Sequence, residues 1–132
     1  MFKSDIKILV VDDMKTMRRE VIKTCKELGF QNFLEASDGI EAYKLLLQEP
    51  FDLIVSDWSM PNSTGYDLLK KVRADDRFKG IAFIMVTAEG EPFYVKDAIQ
   101  AGVDDFILKP FSLEILRQKF DQVARKRGVS VA

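Results

Sequence analysis

The chain has 132 residues, 47% hydrophobic and 31% charged, a balance that suits one globular domain with a buried core and excludes a disordered chain. Its net charge of −1 gives no general pull toward nucleic acid or an anionic membrane, and no apolar run reaches the roughly 20 residues of a bilayer span. The lack of histidine excludes Ser-His and Cys-His nucleophile pairs and His-ligated zinc, while the single Cys25 excludes an internal disulfide and fits a reducing, cytoplasmic compartment.

Met1 to Asp5 lead straight toward a strand and leave no room for a signal peptide. Ile6 to Val11 is a short apolar run ended by Asp12 and Asp13, which predicts a first strand. Met17, Val21, Cys25 and Leu28 recur at helical spacing, and Gly29 closes that helix. Asn32 to Ala36 predicts a second strand. Asp38 followed by Glu41 has the pattern of a capping box, opening a helix with Tyr43, Leu46 and Leu47 on its core face and Pro50 at its end. Phe51 to Ser56 predicts a third strand, and Gly65 begins a helix through Leu68, Leu69 and Val72.

Ile81 to Val86 is a strongly apolar fourth strand. Pro92 suits the first position of a helix through Ala98 that Gly102 stops. Asp105 to Leu108 predicts a fifth strand. Ser112 caps a last helix with Leu116, Phe120 and Val123 inside, and Arg125, Lys126 and Arg127 lie at its negative end. Five strands, each followed by a helix, predict an α/β fold: a doubly wound parallel sheet with helices on both faces and ligands beyond the carboxyl ends of the strands. Residues 1–132 are expected to form a single domain without an output domain, since only Gly128 to Ala132 follow the last helix.

The strand ends carry the chemistry. Asp12 and Asp13 end the first strand, Asp57 the third and Thr87 the fourth, and Lys109-Pro110 follows the fifth. Any one of these alone reads as a cap or turn residue. Together they gather three carboxylates, a hydroxyl and an ammonium on one sheet edge. Two carboxylates about 5 Å apart repel by roughly 3 kcal/mol at an effective dielectric near 20, a cost that ordinary packing gives no reason to bear.

A hard divalent cation gives such a cluster a use, and Mg²⁺ is usually held by one or two carboxylates plus substrate phosphate. Asp13 and Asp57 are the expected direct ligands, with Asp12 acting directly or through water and a backbone carbonyl after Asp57, that of Ser59, completing the set. A carboxylate can also be the nucleophile in phosphoryl transfer. Lys109 and the Thr87 hydroxyl would then meet the charge on the transferring group.

Leu9-Val10-Val11-Asp12-Asp13, Ser56-Asp57-Trp58-Ser59-Met60-Pro61-Asn62, Val86-Thr87-Ala88-Glu89 and Lys109-Pro110-Phe111 resemble the response-regulator receiver family across essentially the whole chain. Trp58, Thr16-Met17-Arg18-Arg19 and Lys26-Glu27-Leu28-Gly29-Phe30 are most similar to its chemotaxis members. The resemblance implies a flavodoxin-like sheet of order 2-1-3-4-5, a familiar topology for this family.

It also implies that Asp57 is the phosphoacceptor, served by a histidine kinase or a small acyl phosphate, and that Asp12, Asp13 and the Ser59 carbonyl hold Mg²⁺. Thr87 and Lys109 would sense the phosphoryl oxygens, Phe106 would be the switch aromatic, and Lys109-Pro110 would be a cis peptide. The output surface would comprise the fourth helix, fifth strand and fifth helix, including Gly90, Phe106, Leu108, Phe111, Ser112, Lys119 and Gln122. The implied partners are a flagellar motor switch protein and a phosphatase, with no nucleic acid and no membrane; a cytoplasmic monomer is expected.

The departures are local. Phe106 stands where the chemotaxis members usually carry tyrosine, so an inward ring gains burial but no hydroxyl hydrogen bond. Ser59 replaces their common asparagine. Side chains 59 and 89 flank the approach of water, which makes Ser59 and Glu89 the expected modulators of phosphoryl lifetime.

Among other features, Met14 and Met60 are expected to line the site, with Met17 and Met85 in the core. Cys25 reads as an inert core residue, and Trp58 as a partly exposed reporter of Mg²⁺ binding. Arg18, Arg19, Lys23 and Lys26 read as a solvated helix face. The alternatives are a phosphorelay intermediate or phosphate sink, an aspartyl-nucleophile phosphatase, and a flavin carrier. The phosphatase pattern Asp-x-Asp-x-Thr meets Asp12-Asp13-Met14-Lys15-Thr16 here, and a flavin phosphate would meet two repelling carboxylates after the first strand.

Overall fold

The computed structural model describes residues 1–88 and 92–128, the side chains of residues 92–94 excepted. Strands and helices alternate throughout: β1 (Lys7–Val11), α1 (Lys15–Glu27), β2 (Asn32–Ala36), α2 (Gly39–Gln48), β3 (Leu53–Asp57), α3 (Gly65–Ala74), β4 (Ala82–Thr87), α4 (Pro92–Ala101), β5 (Asp105–Leu108) and α5 (Leu113–Lys126). The strands pair in parallel, as the strand–helix alternation predicts, in the order β2-β1-β3-β4-β5 that the resemblance implies. β1, β3 and β4 each start one or two residues later than their apolar runs suggest, because Ile6, Phe51 and Ile81 pack as flanking residues before strand pairing begins. No helix among the described residues is long and apolar enough to cross a membrane.

The period-2 alternation of the strands divides the core. Ile8, Val10, Leu53, Val55, Ile84 and Ile107 face one side and pack with Val21 and Cys25 of α1 and Leu116, Phe120 and Val123 of α5. Leu9, Val11, Ile54, Phe83 and Met85 face the other side, under Leu46 of α2, Leu68, Leu69 and Val72 of α3 and Ala98 of α4. The central strands are covered on both faces and so read as unbroken apolar runs. Each fully buried Leu, Ile or Phe in these layers contributes about 1.5–3 kcal/mol of transfer free energy.

Local signals explain the element ends. Gly29 follows α1 at φ +102°, a conformation that a side chain would strain. Ser112 Oγ accepts the Ile115 N–H at 3.2 Å to start α5. The reciprocal capping box lies on α3, between Thr64 and Asp67. At α2 only half of the expected box forms: Asp38 accepts the Glu41 N–H at 2.8 Å, but the Glu41 carboxylate accepts the Ser37 hydroxyl instead. The core face of α2 also differs from expectation, since Gly39, Ala42 and Leu46 form the buried ladder. Leu47 lies about 100° round the helix from Leu46 and is 51% exposed, while Tyr43 is half-buried.

Candidate functional site

The parallel topology brings the tips of β1, β3 and β4 and the residue after β5 to one edge. Asp12 is buried there and held at its amide and both carboxylate oxygens. Its N–H donates to the Ala36 carbonyl at 3.1 Å, Oδ1 accepts the Met14 N–H at 2.9 Å, and Oδ2 lies 3.3 Å from the Lys109 ammonium. Asp57 Oδ1 accepts the Trp58 N–H at 2.9 Å and lies 3.2 Å from Lys109 Nζ. Lys109 therefore bridges two carboxylates, and its own N–H donates to the Thr87 carbonyl at 3.0 Å. The Lys109–Pro110 peptide is cis, as the resemblance implies.

One oxygen each of Asp12, Asp13 and Asp57 lie within 4.8 Å of one another. At that spacing each pair of charges repels by about 3 kcal/mol at an effective dielectric near 20, and a single ammonium cannot offset all of it. The strain falls on Asp57, whose pKa burial pushes above the ordinary carboxylate value; the neighbouring Asp12 charge adds to the rise and Lys109 opposes it. Asp13 is exposed and has no hydrogen bond from a described residue. An all-oxygen donor set with excess negative charge fits a hard divalent cation such as Mg²⁺, which Asp12, Asp13 and Asp57 would hold.

α3 positions the tip of β3. A Cβ on Gly65 would stand 2.1 Å from the Asp57 carbonyl oxygen, so the helix can approach the strand tip only with glycine at its first position. The Gly65 N–H donates to the Trp58 carbonyl at 2.8 Å. Trp58 is half-buried and stacks on Tyr66 at a centroid distance of 5.2 Å, with the Lys70 ammonium 4.4 Å from the Tyr66 centroid. Ser59 sits two residues beyond Asp57 with its side chain exposed.

The described switch and output residues lie on β5, on the loop after it and on α5. Phe106 is half-buried against the α2–α3–α4 side of the core. Leu108 is 54% exposed, Phe111 packs against the α1–α5 core layer, and Gln122 is exposed. Ser112 is the α5 cap, and the Lys119 ammonium lies 3.2 Å from Asp105 Oδ1. Glu89 and Gly90 lie outside the described residues.

Three expectations need correction. Met60 is buried in the core rather than lining the site, in the same layer as Leu68, Leu69 and Val72 of α3. Met14 is 55% exposed, and it serves the site through its backbone N–H. Arg18 does not share the solvated face of Arg19, Lys23 and Lys26. It lies on the Met14–Arg18–Val21–Cys25 ladder, which turns its guanidinium toward the strand tips, where it donates to the Asp12 carbonyl at 2.6 Å and to Glu35 Oε1 at 2.9 Å. That spacing was the available signal for Arg18; the Thr64-Gly65 step was the corresponding one for the close helix approach. Cys25 is fully buried, and burial pushes its thiol up to about 12, which agrees with an inert core residue.

The response regulator receiver domain model matches residues 8–121. The chain is 45% identical over 118 residues to the chemotaxis protein CheY of Pseudomonas aeruginosa, covering 89% of this chain and 95% of that protein. It is 46% identical over 119 residues to the chemotaxis protein CheY1 of Helicobacter pylori, with coverage of 89% and 96%. Among solved structures, the chemotaxis response regulator CheY4 of Vibrio cholerae superposes with a TM-score of 0.82 at 32% identity, covering 90% of this chain and 98% of that one.

Proposed function

Because the chain belongs to the response regulator receiver domain family, we propose that it is a Mg²⁺-dependent phosphorylation switch with Asp57 as the phosphoacceptor. The observation that carries this reading is the convergence of Asp12, Asp13 and Asp57 within 4.8 Å, with Lys109 bridging two of them. Bound Mg²⁺ would neutralise charge on the carboxylates and on the transferring phosphoryl oxygens. Oδ1 of Asp57 is held by the Trp58 N–H and Lys109, which presents Oδ2 as the nucleophile.

An Oδ2 lone pair forms the new O–P bond as the P–N bond to a kinase phosphohistidine breaks, and the electron pair of that bond leaves with the imidazole nitrogen. Lys109, 3.2 Å from Asp57 Oδ1, would meet one phosphoryl oxygen, and Thr87, on the next strand tip, would offer its hydroxyl to a second. Movement of Thr87 would make room for Phe106 to turn inward and change the face built from α4, β5 and α5. Leu108, Phe111, Ser112, Lys119 and Gln122 belong to that face, and Ser59 would tune how fast water removes the phosphoryl group.

The likeness to chemotaxis proteins supports a cytoplasmic, monomeric receiver that takes its phosphoryl group from a histidine kinase and binds a flagellar motor switch protein. Incubation with Mg²⁺ and acetyl phosphate, followed by intact mass and Trp58 fluorescence, tests the chemistry. A stoichiometric adduct that disappears in Asp57→Asn is expected. Rapid turnover without an adduct would instead identify a phosphatase. Phe106→Ala should keep the adduct and lose phosphorylation-dependent partner binding; retained coupling would remove Phe106 from the switch.

A further inference from the structure

The first strand tip is held by a contact that the acceptor chemistry leaves unexplained. α1 begins at Met14 without a side-chain cap and without an acidic residue in its first turn. Besides the Met14 N–H on Asp12 Oδ1, the Arg18 guanidinium ties it to the tip of β1, its Nη1 donating to the Asp12 carbonyl at 2.6 Å. The Arg18 side chain is only 15% exposed, and Glu35 on β2 takes its Nε at 2.9 Å. The planar fork thus ties three elements together in one fixed geometry.

The carbonyl that Arg18 grips belongs to the peptide linking Asp12 to Asp13. Holding that plane fixes where the Asp13 nitrogen and Cα sit, and so limits where the Asp13 Cα–Cβ bond can point. No described residue holds the Asp13 carboxylate itself, so its aim depends on the backbone. Asp12 differs, being also pinned through Oδ1 by Met14 and through Oδ2 by Lys109.

From this we infer that Arg18 is a positioning residue for the divalent-cation site, clamping the Asp12–Asp13 peptide so that Asp13 points at the cation, with Glu35 orienting the clamp. The inference rests on the proposed Mg²⁺-dependent reading, and the two can fail separately.

Charge gives the test its sign. A positive group beside a cation site opposes Mg²⁺, so if Arg18 acted only as a charge, Arg18→Ala would tighten Mg²⁺ binding. As a clamp, its loss weakens Mg²⁺ binding by about tenfold, the lower range for groups that orient metal ligands. Glu35→Ala should weaken it by about threefold, the scale of an exposed ion pair. That second effect should vanish in the Arg18→Ala background, because Glu35 acts through Arg18. Mg²⁺ titrations read by Trp58 fluorescence and by the Mg²⁺-induced rise in Tm measure all four proteins.

Unchanged or tighter Mg²⁺ binding in Arg18→Ala, or full additivity in the double variant, overturns the clamp while leaving the functional reading intact. If Arg18→Ala does not fold, Glu35→Ala decides, and unchanged affinity there overturns the clamp. A wild-type protein that ignores Mg²⁺ ends both.

Discussion

At the amino edge of the sheet one buried carboxylate meets three cations, while at the carboxyl edge three carboxylates crowd together and one ammonium pairs with two of them. Asp104, just before β5, has a side chain only 2% exposed. It accepts the Phe83 N–H at 2.8 Å, Arg73 Nη2 at 3.1 Å and Arg127 Nε at 2.9 Å, with Lys126 at 3.5 Å. Arg73 and Arg127 complete the cluster by donating to the carbonyls of Gly102, Lys79, Ile81 and Gly80. Burial and then the Arg127 charge pull the Arg73 pKa below its ordinary value, and Asp104 opposes them. Nearly every polar group in that cluster has a partner inside the protein. The carboxyl edge is left with net negative charge and an exposed Asp13, a deficit that a ligand can fill. The first arrangement holds β4, β5, α3 and α5 together; the second stores an affinity.

The largest effect should come from breaking the satisfied cluster. Asp104→Asn leaves Arg73 and Arg127 facing each other without their carboxylate, and such losses cost about 3–5 kcal/mol. At about 4 °C per kcal/mol for a domain of this size, Tm should fall by roughly 10–20 °C in thermal unfolding followed by circular dichroism. A drop of only a degree or two would mean that the amino edge is no anchor.

The unsatisfied edge should respond in the opposite direction. Mg²⁺ at ten times its dissociation constant should stabilise the wild-type protein by about 1.4 kcal/mol, read as a rise in Tm. Asp57→Asn should raise the stability of the metal-free protein, because one buried charge and its repulsion with Asp12 disappear. The same substitution should also shrink the response to Mg²⁺. Asp13→Asn should gain less metal-free stability, since Asp13 is exposed where Asp57 is largely buried. An Asp57→Asn protein less stable than wild type without metal would show that Lys109 already compensates the edge.

The smallest test returns to the helix ends near the amino edge. The Arg77 guanidinium, and then the Tyr43 hydroxyl, hold the Asp75 carboxyl well below the usual carboxylate range. A depressed carboxylate adds stability above its unfolded pKa, about 3.9, and loses it as pH falls through that value toward the folded one. Asp75→Asn should therefore be slightly less stable than wild type at neutral pH, and the gap should close in acid. A gap that widened on acidification would have the wrong sign.

Much of this molecule can be read from local pattern. Apolar runs such as Leu9-Val10-Val11 end in polar residues because the sheet interior is largely apolar, so strand ends and the residues on them are visible in one dimension. The strand-tip aspartates Asp12, Asp13 and Asp57 were legible for that reason, as was the Ser112 cap. Arg18 and Asp104 were not. Arg18 is a charged residue on a helix whose outer face is full of charge and Asp104 one in the loop before β5, and burial of either depends on partners 17 to 31 positions away in the chain. Leu47 shows the converse: an apolar residue on an amphipathic helix that faces solvent because Gly39, Ala42 and Leu46 already fill the seam.

By itself, the order of residues determined the alternation of strands and helices, the sheet they build, and which acidic side chains stand at its carboxyl edge, since period and punctuation are local properties of the backbone. Tertiary structure alone decided that Lys109 would bridge Asp12 and Asp57, that Asp57 rather than Asp13 would carry the desolvation, and that Arg18 would turn inward. Those outcomes depend on distances and burial between segments far apart in the chain, and electrostatic energy varies with both.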